Sequence, residues 1–341
     1  IARTEAQVST VNGMIQIISS EGTDKFSSIE VFEFSDGSVS AADLTSGGGV
    51  PGEVIVGTDG DDTLVGTIND DTLAGGAGND SIESGGGGNN NISGSTGNDT
   101  LFGGPGADSI GGGLGDDTIF GNDGDDVIGA GFGNDFVSGG NGDDVVAGGA
   151  GNDTLEGGEG DDNMSGSFGN DLIFGNGGND DIGGGTGRDT IDAGAGDDSV
   201  GGGEGDDSIF GGAGNDFLAG GGRDDTIDGG TGNDTINAGA GNDVITGGAG
   251  ADQFVFSEFF DGEADVITDF EDGIDSFFIR IVNPETGETN ITNGNAGLGG
   301  FVAALDITDT SEGAQMNVNG NTILVEGVAA ANLTIDDFQF L

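Results

Sequence analysis

The stretch Gly112-Gly-Leu-Gly-Asp-Asp-Thr-Ile-Phe120 sets a nine-residue pattern that Gly148-Gly-Ala-Gly-Asn-Asp-Thr-Leu-Glu156 repeats. From Gly57 to Val255 the sequence divides into 22 such nonapeptides, with one extra residue, assigned to Ser84, between the third and the fourth. The fourth position is Gly except at Asn69 and Arg223, and the sixth is Asp except at Asn90. The eighth position is apolar in every unit, from Leu64 and Leu73 through Ile119 and Ile191 to Ile245 and Phe254. A fixed period of this length, each unit carrying one residue to bury, marks a stacked solenoid.

The letters of the repeat have physical roles. Glycines at alternate positions let the backbone turn through dihedrals closed to other residues, aiming carbonyl oxygens inward, and the Asp adds a carboxylate. Hard oxygen donors of this kind suit calcium. The last three positions read as a short strand, the eighth side chain pointing in and the seventh and ninth pointing out.

The pattern resembles the repeats-in-toxin (RTX) family, whose glycine-rich nonapeptide is a calcium-binding parallel β-helix repeat. The resemblance covers about 200 residues. It implies an all-β fold, a parallel β-roll (β-solenoid) of 22 nonapeptides with small β-rich caps at both ends. The expected domains are an N-terminal flank over residues 1–56, the calcium-binding roll over 57–255, and a C-terminal cap and secretion-signal region over 256–341. If the chain follows the family, one coil uses two nonapeptides and each ion sits between loops 18 residues apart. The metal-ligating side chains are then Asp62, Asp71, Asp80, Asp99, Asp108, Asp117, Asp126, Asp135, Asp144, Asp153 and Asp162 in the first half of the array. Asp171, Asp180, Asp189, Asp198, Asp207, Asp216, Asp225, Asp234, Asp243 and Asp252 continue them in the second. Carbonyls of the second and fourth positions complete each shell. The fourth-position glycines concerned are Gly97, Gly106, Gly115, Gly124, Gly133, Gly142, Gly151 and Gly160, then Gly169, Gly178, Gly187, Gly196, Gly205, Gly214, Gly232 and Gly241. Eleven coils would hold up to about 20 Ca2+ ions, roughly +40 of charge, in a rod about 50 Å long.

Charge makes the same demand independently. The 341 residues include 63 Asp or Glu against five Lys or Arg, a formal net charge of −58, and self-repulsion on this scale opposes any compact state without counter-ions. Without calcium, the composition reads instead as a disordered acidic chain. Such a chain repels nucleic acid and anionic lipid, and no apolar run is long enough for membrane insertion. His and Cys are absent, which removes the usual zinc sites, disulfides, and both the Ser-His-Asp and Cys-His arrangements. No lysine follows Lys25, so the Gly-rich stretches are not phosphate loops.

Alternate units are expected to share a face. Phe102, Leu114, Phe120, Phe132, Phe136, Phe168, Leu172, Phe174 and Phe210 all fall on one set of units, and this Phe-bearing face is the candidate for self-association or surface docking. The other set has small ninth positions, including Gly111, Gly129, Ala147, Gly183, Gly201 and Ala219. Threonines recur at the seventh position, at 63, 72, 100 and 118, but Phe136, Leu172, Asp181 and Phe217 interrupt that ladder and argue against an ice-binding face.

The flanks differ from the array. Residues 1–50 hold strand-like runs at 11–18 and 29–34 that are expected to cap the first coil. Phe254, Phe256, Phe259, Phe260, Phe270, Phe277 and Phe278 fall within 25 residues, a density expected of a core. Gly247 to Ile279, with Asp265-Val-Ile-Thr-Asp-Phe270 and Gly273-Ile-Asp275, resembles the segment that follows RTX arrays. Leu333-Thr-Ile-Asp-Asp-Phe-Gln-Phe-Leu341 resembles the family's uncleaved C-terminal export signal, and a purely structural cap is the alternative. The resemblance thus implies passage through type I secretion machinery to an extracellular or cell-surface location. With no initiator Met at Ile1, the chain is expected to be the C-terminal part of a longer protein. No His-Glu-x-x-His or Gly-x-Ser-x-Gly motif occurs, so no catalytic role is assigned to these residues. Two readings remain: a calcium-binding structural or adhesin module, and the secretion and folding module of an RTX hydrolase whose catalytic domain lies upstream. Asn69, Ser84, Asn90 and Arg223 are expected to break the regular ion rows.

Overall fold

A computed structural model describes residues 7–11, 14–19, 22–26, 52–256, 262–271, 273–279, 305–318 and 321–339. Residues 1–40 form one unit, in which Gln7–Val11, Met14–Ser19 and Gly22–Phe26 make an antiparallel three-stranded sheet. The strand expected at 29–34 lies outside the described residues, as do Phe259 and Phe260.

Residues 41–341 form the second unit, a β-solenoid with two long sheets. Sheet I has 14 described strands and sheet II has 15, and successive strands of the array alternate between them. Along the array the pairing within each sheet is parallel and the partner lies one coil away, as in Ile110↔Ile128 and Ile119↔Val137, while sheet II ends in an antiparallel hairpin of Gly313–Val318 with Asn321–Glu326. All 22 eighth-position side chains are buried, from Leu64 to Phe254. Burying one apolar side chain per nonapeptide on alternating sides is what places the core between the two sheets.

The strands are longer than the three residues expected. Most have six, running from the seventh position of one unit through the third position of the next, as in Ser109–Leu114 and Thr118–Asp123. Only the fourth to sixth positions are left to turn. The glycine at the first position continues the strand, Gly113 at the second takes φ +122° while still within it, and Gly115 at φ +123° opens the turn. Arg223 holds the same left-handed conformation at φ +84°, so the loop keeps its shape without glycine there.

This longer strand corrects the division into faces. A strand crosses a unit boundary, so the third position of a unit lies on the opposite sheet from its ninth. Phe102, Phe120, Phe136, Leu172, Phe174 and Phe210 lie on sheet II, whereas Leu114, Phe132 and Phe168 lie on sheet I. On sheet II Phe102 and Phe120 stack at 5.2 Å and Phe136 leans on Phe120 at 5.7 Å, while Phe210 is 42% exposed. On sheet I Leu114, Phe132 and Phe168 are 51%, 63% and 64% exposed, beside exposed Val127 and Val145.

The inserted residue is also placed differently. Ser84 stands at the first position of its unit, buried, with its backbone N–H on the Phe102 carbonyl and its hydroxyl donating to the Gly103 carbonyl. The extra residue is taken up at Gly86-Gly87, where the loop bends before Gly88 rejoins the pattern.

Both sheets continue past the nonapeptides. Ala264–Ile267 follows Val244–Thr246 in parallel, and Ser276–Ile279 follows Gln253–Phe256. Asn321–Glu326 and Phe338–Gln339 then add the next strands. Phe254, Phe270, Phe277 and Phe338 stack between them, with Phe270 and Phe277 4.6 Å apart, so aromatic rings fill the end of the core. Leu333 and Phe338 of the terminal segment are buried in it. No helix among the described residues is long and apolar enough to cross a membrane.

Candidate metal centre

The loops stack into two rows, one along each edge where the chain passes between the sheets. In one row the backbone N–H of Asp99 donates to Oδ1 of Asp117 at 2.8 Å, and that of Asp117 donates to Oδ1 of Asp135 at 2.7 Å. The other row repeats this through Asp108, Asp126 and Asp144. From Asp71 to Asp252 each sixth-position Asp thus reaches back to the preceding coil, 18 residues away, or 19 for Asp99 across the insertion. Fifth-position side chains reach the opposite way: Oδ1 of Asp116 accepts from the N–H of Asn134, and Oδ1 of Asn134 from that of Asn152. Each coil is therefore clasped from both sides.

One oxygen per Asp is left over. In Asp80, Asp99 and Asp108, and at every sixth-position Asp from there to Asp252, Oδ2 is buried and accepts no hydrogen bond, 19 atoms in all. A buried carboxylate oxygen without a donor is costly, and a row of them cannot persist without positive charge. At most of them glycine keeps a space open: a Cβ on Gly103 would fall 2.7 Å from Oδ2 of Asp108 and 2.7 Å from the Gly121 carbonyl oxygen, although buried Ala130, Ala193 and Ala238 take that position before Asp135, Asp198 and Asp243. A Cβ on Gly113 or Gly115 would strike the carbonyl of Ser95 or Gly97 in the coil below. Carboxylate and carbonyl oxygens therefore crowd every gap, and the donor set fits a hard divalent cation such as calcium. Among the described residues no three acidic side chains converge on one point, so each ion would be held by few carboxylates together with main-chain carbonyls.

Electrostatics agrees. Burial pushes Asp117, Asp126 and Asp162 up to about 7 and Asp225 up to about 8, and the charges of neighbouring Asp residues add to the effect. Hydrogen bonds from the preceding coil only partly offset it.

The sequence-predicted residues are not equivalent. Asp62 and Asp71, in the first coil, have Oδ2 already engaged: Thr58 gives it N–H and hydroxyl at 2.5 and 2.9 Å, and Thr67 does so at 2.5 and 3.0 Å. Asn90 does not interrupt its row. It accepts from the N–H of Asp71 at 2.8 Å and donates its own N–H to Asp108 at 2.6 Å, so hydrogen-bond geometry runs through residues 80–95. In place of an Oδ2, however, its Nδ2 donates to the Gly88 carbonyl and to Oδ1 of Asp108, and both the charge and one ligand oxygen are missing. Of the fourth-position glycines nominated, Gly97, Gly115 and Gly151 have the positive φ of the stacked loops, whereas Gly205 does not. Two residues went unassigned by sequence reasoning. Asp265 and Asp275 take the sixth-position place after Asp243 and Asp252, 22 and 23 residues on. Their signal is the spacing Asp-x-apolar, Asp265-Val-Ile267 and Asp275-Ser-Phe277, which survives outside the nine-residue frame.

The sequence profile of the RTX calcium-binding nonapeptide repeat (4 copies) matches residues 52–82, 84–119, 106–137, 120–155, 156–191, 183–218 and 219–254. No curated protein matches the chain. Similar solved structures include the AlgE6R3 subunit of the Azotobacter vinelandii mannuronan C5-epimerase, 25% identical over 45% of this chain and 78% of that one, with a TM-score of 0.28. A hyperactive, Ca2+-dependent, β-helical antifreeze protein from an Antarctic bacterium is 22% identical over 67% of this chain and 89% of that one, with a TM-score of 0.29. The extracellular lipase LipA of Serratia marcescens is 15% identical over 62% of this chain, with a TM-score of 0.25, and the chain spans 40% of the lipase.

Proposed function

Since the chain belongs to the RTX calcium-binding nonapeptide-repeat family, we propose that it is a calcium-assembled β-roll module of a secreted or cell-surface protein, serving extracellular structural assembly or adhesion. The observation that carries this reading is the double row of 19 buried Oδ2 atoms without a protein donor. Calcium would be held by the sixth-position Asp residues from Asp80 to Asp252 and by nearby main-chain carbonyls, and it supplies positive charge that a chain of net charge −58 lacks. The residues do the rest: Oδ1 fixes each carboxylate to the preceding coil, the glycines keep the gap open, and the eighth-position side chains exclude water behind it.

Coupling of folding to calcium supports an export role. A chain that cannot close its loops in a calcium-poor cytosol stays extended for passage through a type I channel and folds outside, where the ion is abundant. The reading also assigns the outer surface of sheet I to contact with a second copy. Its first seven strands, from Val54–Val56 to Asn163–Phe168, carry no charged residue, whereas sheet II has Glu83, Asp123, Glu156 and Glu159. Two copies of so acidic a chain can approach without opposing carboxylates only across such a face.

Titration with calcium, followed by circular dichroism and small-angle scattering, tests the function. The expected result is a cooperative gain of strand and compaction that chelator reverses and magnesium does not reproduce. An equally compact, strand-rich chain after exhaustive chelation would overturn it.

A further inference from the structure

The nonapeptide profile ends at residue 254, but the contact that builds the rows does not. The backbone N–H of Asp243 donates to Oδ1 of Asp265 at 3.2 Å, and that of Asp252 donates to Oδ1 of Asp275 at 3.0 Å. The strands behind them stay in register, Ile245 beside Ile267 and Phe254 beside Phe277. The opposite, fifth-position contact persists as well, with the N–H of Ala264 on Oδ1 of Asn242 at 3.1 Å.

The two ends of the rows are closed differently. At the start, Thr58 and Thr67 give donors to Oδ2 of Asp62 and Asp71, and beyond the far end Glu271 gives its N–H to Oδ2 of Asp275 at 2.7 Å, but the last two nonapeptide Asp residues have no such donor. At the far end Asp243 and Asp252 are 0% and 1% exposed, and Oδ2 of each has no donor. What surrounds them is further negative charge: Glu263 and Asp265 by Asp243, and Asp269, Glu271 and Asp275 by Asp252. An anionic gap around a buried oxygen with no donor fits a cation.

We propose that each cation row runs one turn past the nonapeptides, its last site completed by a carboxylate outside them: Asp265 after Asp243 in one row, Asp275 after Asp252 in the other. The proposal rests on the reading that the rows hold calcium. Its consequence is that the aromatic end of the core, with Phe254, Phe270 and Phe277, closes only with calcium.

The test is the double variant D265N/D275N. Asn90 already shows that asparagine in this place keeps both ladder hydrogen bonds, so at Asp265 the substitution removes charge with little change of shape, while at Asp275 it also removes the acceptor of the Glu271 N–H. Native mass spectrometry of the calcium-loaded chain counts the ions. The double variant is expected to hold two fewer than the parent, while D181N, on the exposed outer face of sheet I, holds as many as the parent. Amide exchange is expected to show lost calcium-dependent protection at 264–267 and 276–279, with strands 127–240 protected as before. Loss of fewer than two ions, or full protection at both segments, overturns the proposal. Should the double variant not fold, D265N and D275N, each expected to lose one ion, decide the same question. A parent chain that takes up no calcium would instead defeat the underlying reading.

Discussion

Asp99 and Asp117, 18 residues apart in sequence, are joined by one hydrogen bond of 2.8 Å from the N–H of the first to Oδ1 of the second. That bond orients the carboxylate and leaves its other oxygen, Oδ2, buried without a donor. Structure and ion demand are thus fixed by the same side chain, and the consequences can be measured.

Acid should partly replace calcium. Burial holds Asp117, Asp126 and Asp162 near 7 and Asp225 near 8 in the folded chain, above the ordinary 3.8. A group raised in the folded state contributes stability that is complete below its unfolded pKa and is lost as pH rises through its folded pKa. In chelator, strand content measured by circular dichroism should therefore be higher at pH 5 than at pH 8, with the loss falling across roughly pH 6 to 8. Saturating calcium should flatten the profile over that range. A metal-free chain equally folded at both ends counts against the buried carboxylates.

Glycine is required at some positions and incidental at others. Gly115 has φ +123° and a Cβ there would strike the Gly97 carbonyl, so Gly115→Ala should cost more than about 1 kcal/mol of the calcium-loaded stability. Gly129 has open space on its outer side and no positive φ, so Gly129→Ala should be neutral or stabilise by about 0.5–1 kcal/mol. Thermal unfolding of the two variants in calcium checks the contrast, and equal effects would refute it.

The core is one side chain thick, so a single truncation matters. Ile173 is fully buried, and Ile173→Ala should cost about 2–5 kcal/mol in calcium. Ile68 is 70% exposed, and Ile68→Ala should stay within about 0.5 kcal/mol. Denaturant midpoints at fixed calcium separate the two.

Sheet I should mediate self-association. Phe132→Ser with Phe168→Ser, both solvent-facing, should weaken it tenfold or more by sedimentation, at unchanged calcium uptake, given that each such apolar contact contributes about 1–3 kcal/mol. Phe102→Ser with Phe120→Ser, a pair stacked on sheet II, should leave association intact. The reverse pattern would move the contact to the other sheet.

The parallel roll and its ligand rows were legible because they obey a period. An apolar eighth position and an acidic sixth survive in every reading of the 22 units, Asn90 apart. What escaped was whatever depends on where the strand stops. Leu114 and Phe120 belong to one nonapeptide yet lie on different sheets, because the strand crosses the unit boundary and only the loop decides the face. Ser84 reads as the intruder in the frame, but stacking makes it a regular first position and passes the surplus to Gly86-Gly87, where glycine bends freely. Asp265 and Asp275 escaped because spacings of 22 and 23 leave the nine-residue count, although the coil itself is continuous.

Because successive strands alternate between the two sheets, the array has a natural unit of inheritance. Loss or gain of 18 residues removes or adds one whole turn, and everything downstream keeps its side, its row and its neighbour. Loss of nine would transpose every later strand across the core, exchanging the outer faces of sheet I and sheet II and misaligning the aromatic plug at the end. Length can therefore change by even numbers of units without disturbing the rest, whereas an odd change exchanges the two sheets, which gives the roll the geometry of an adjustable spacer with a built-in parity rule.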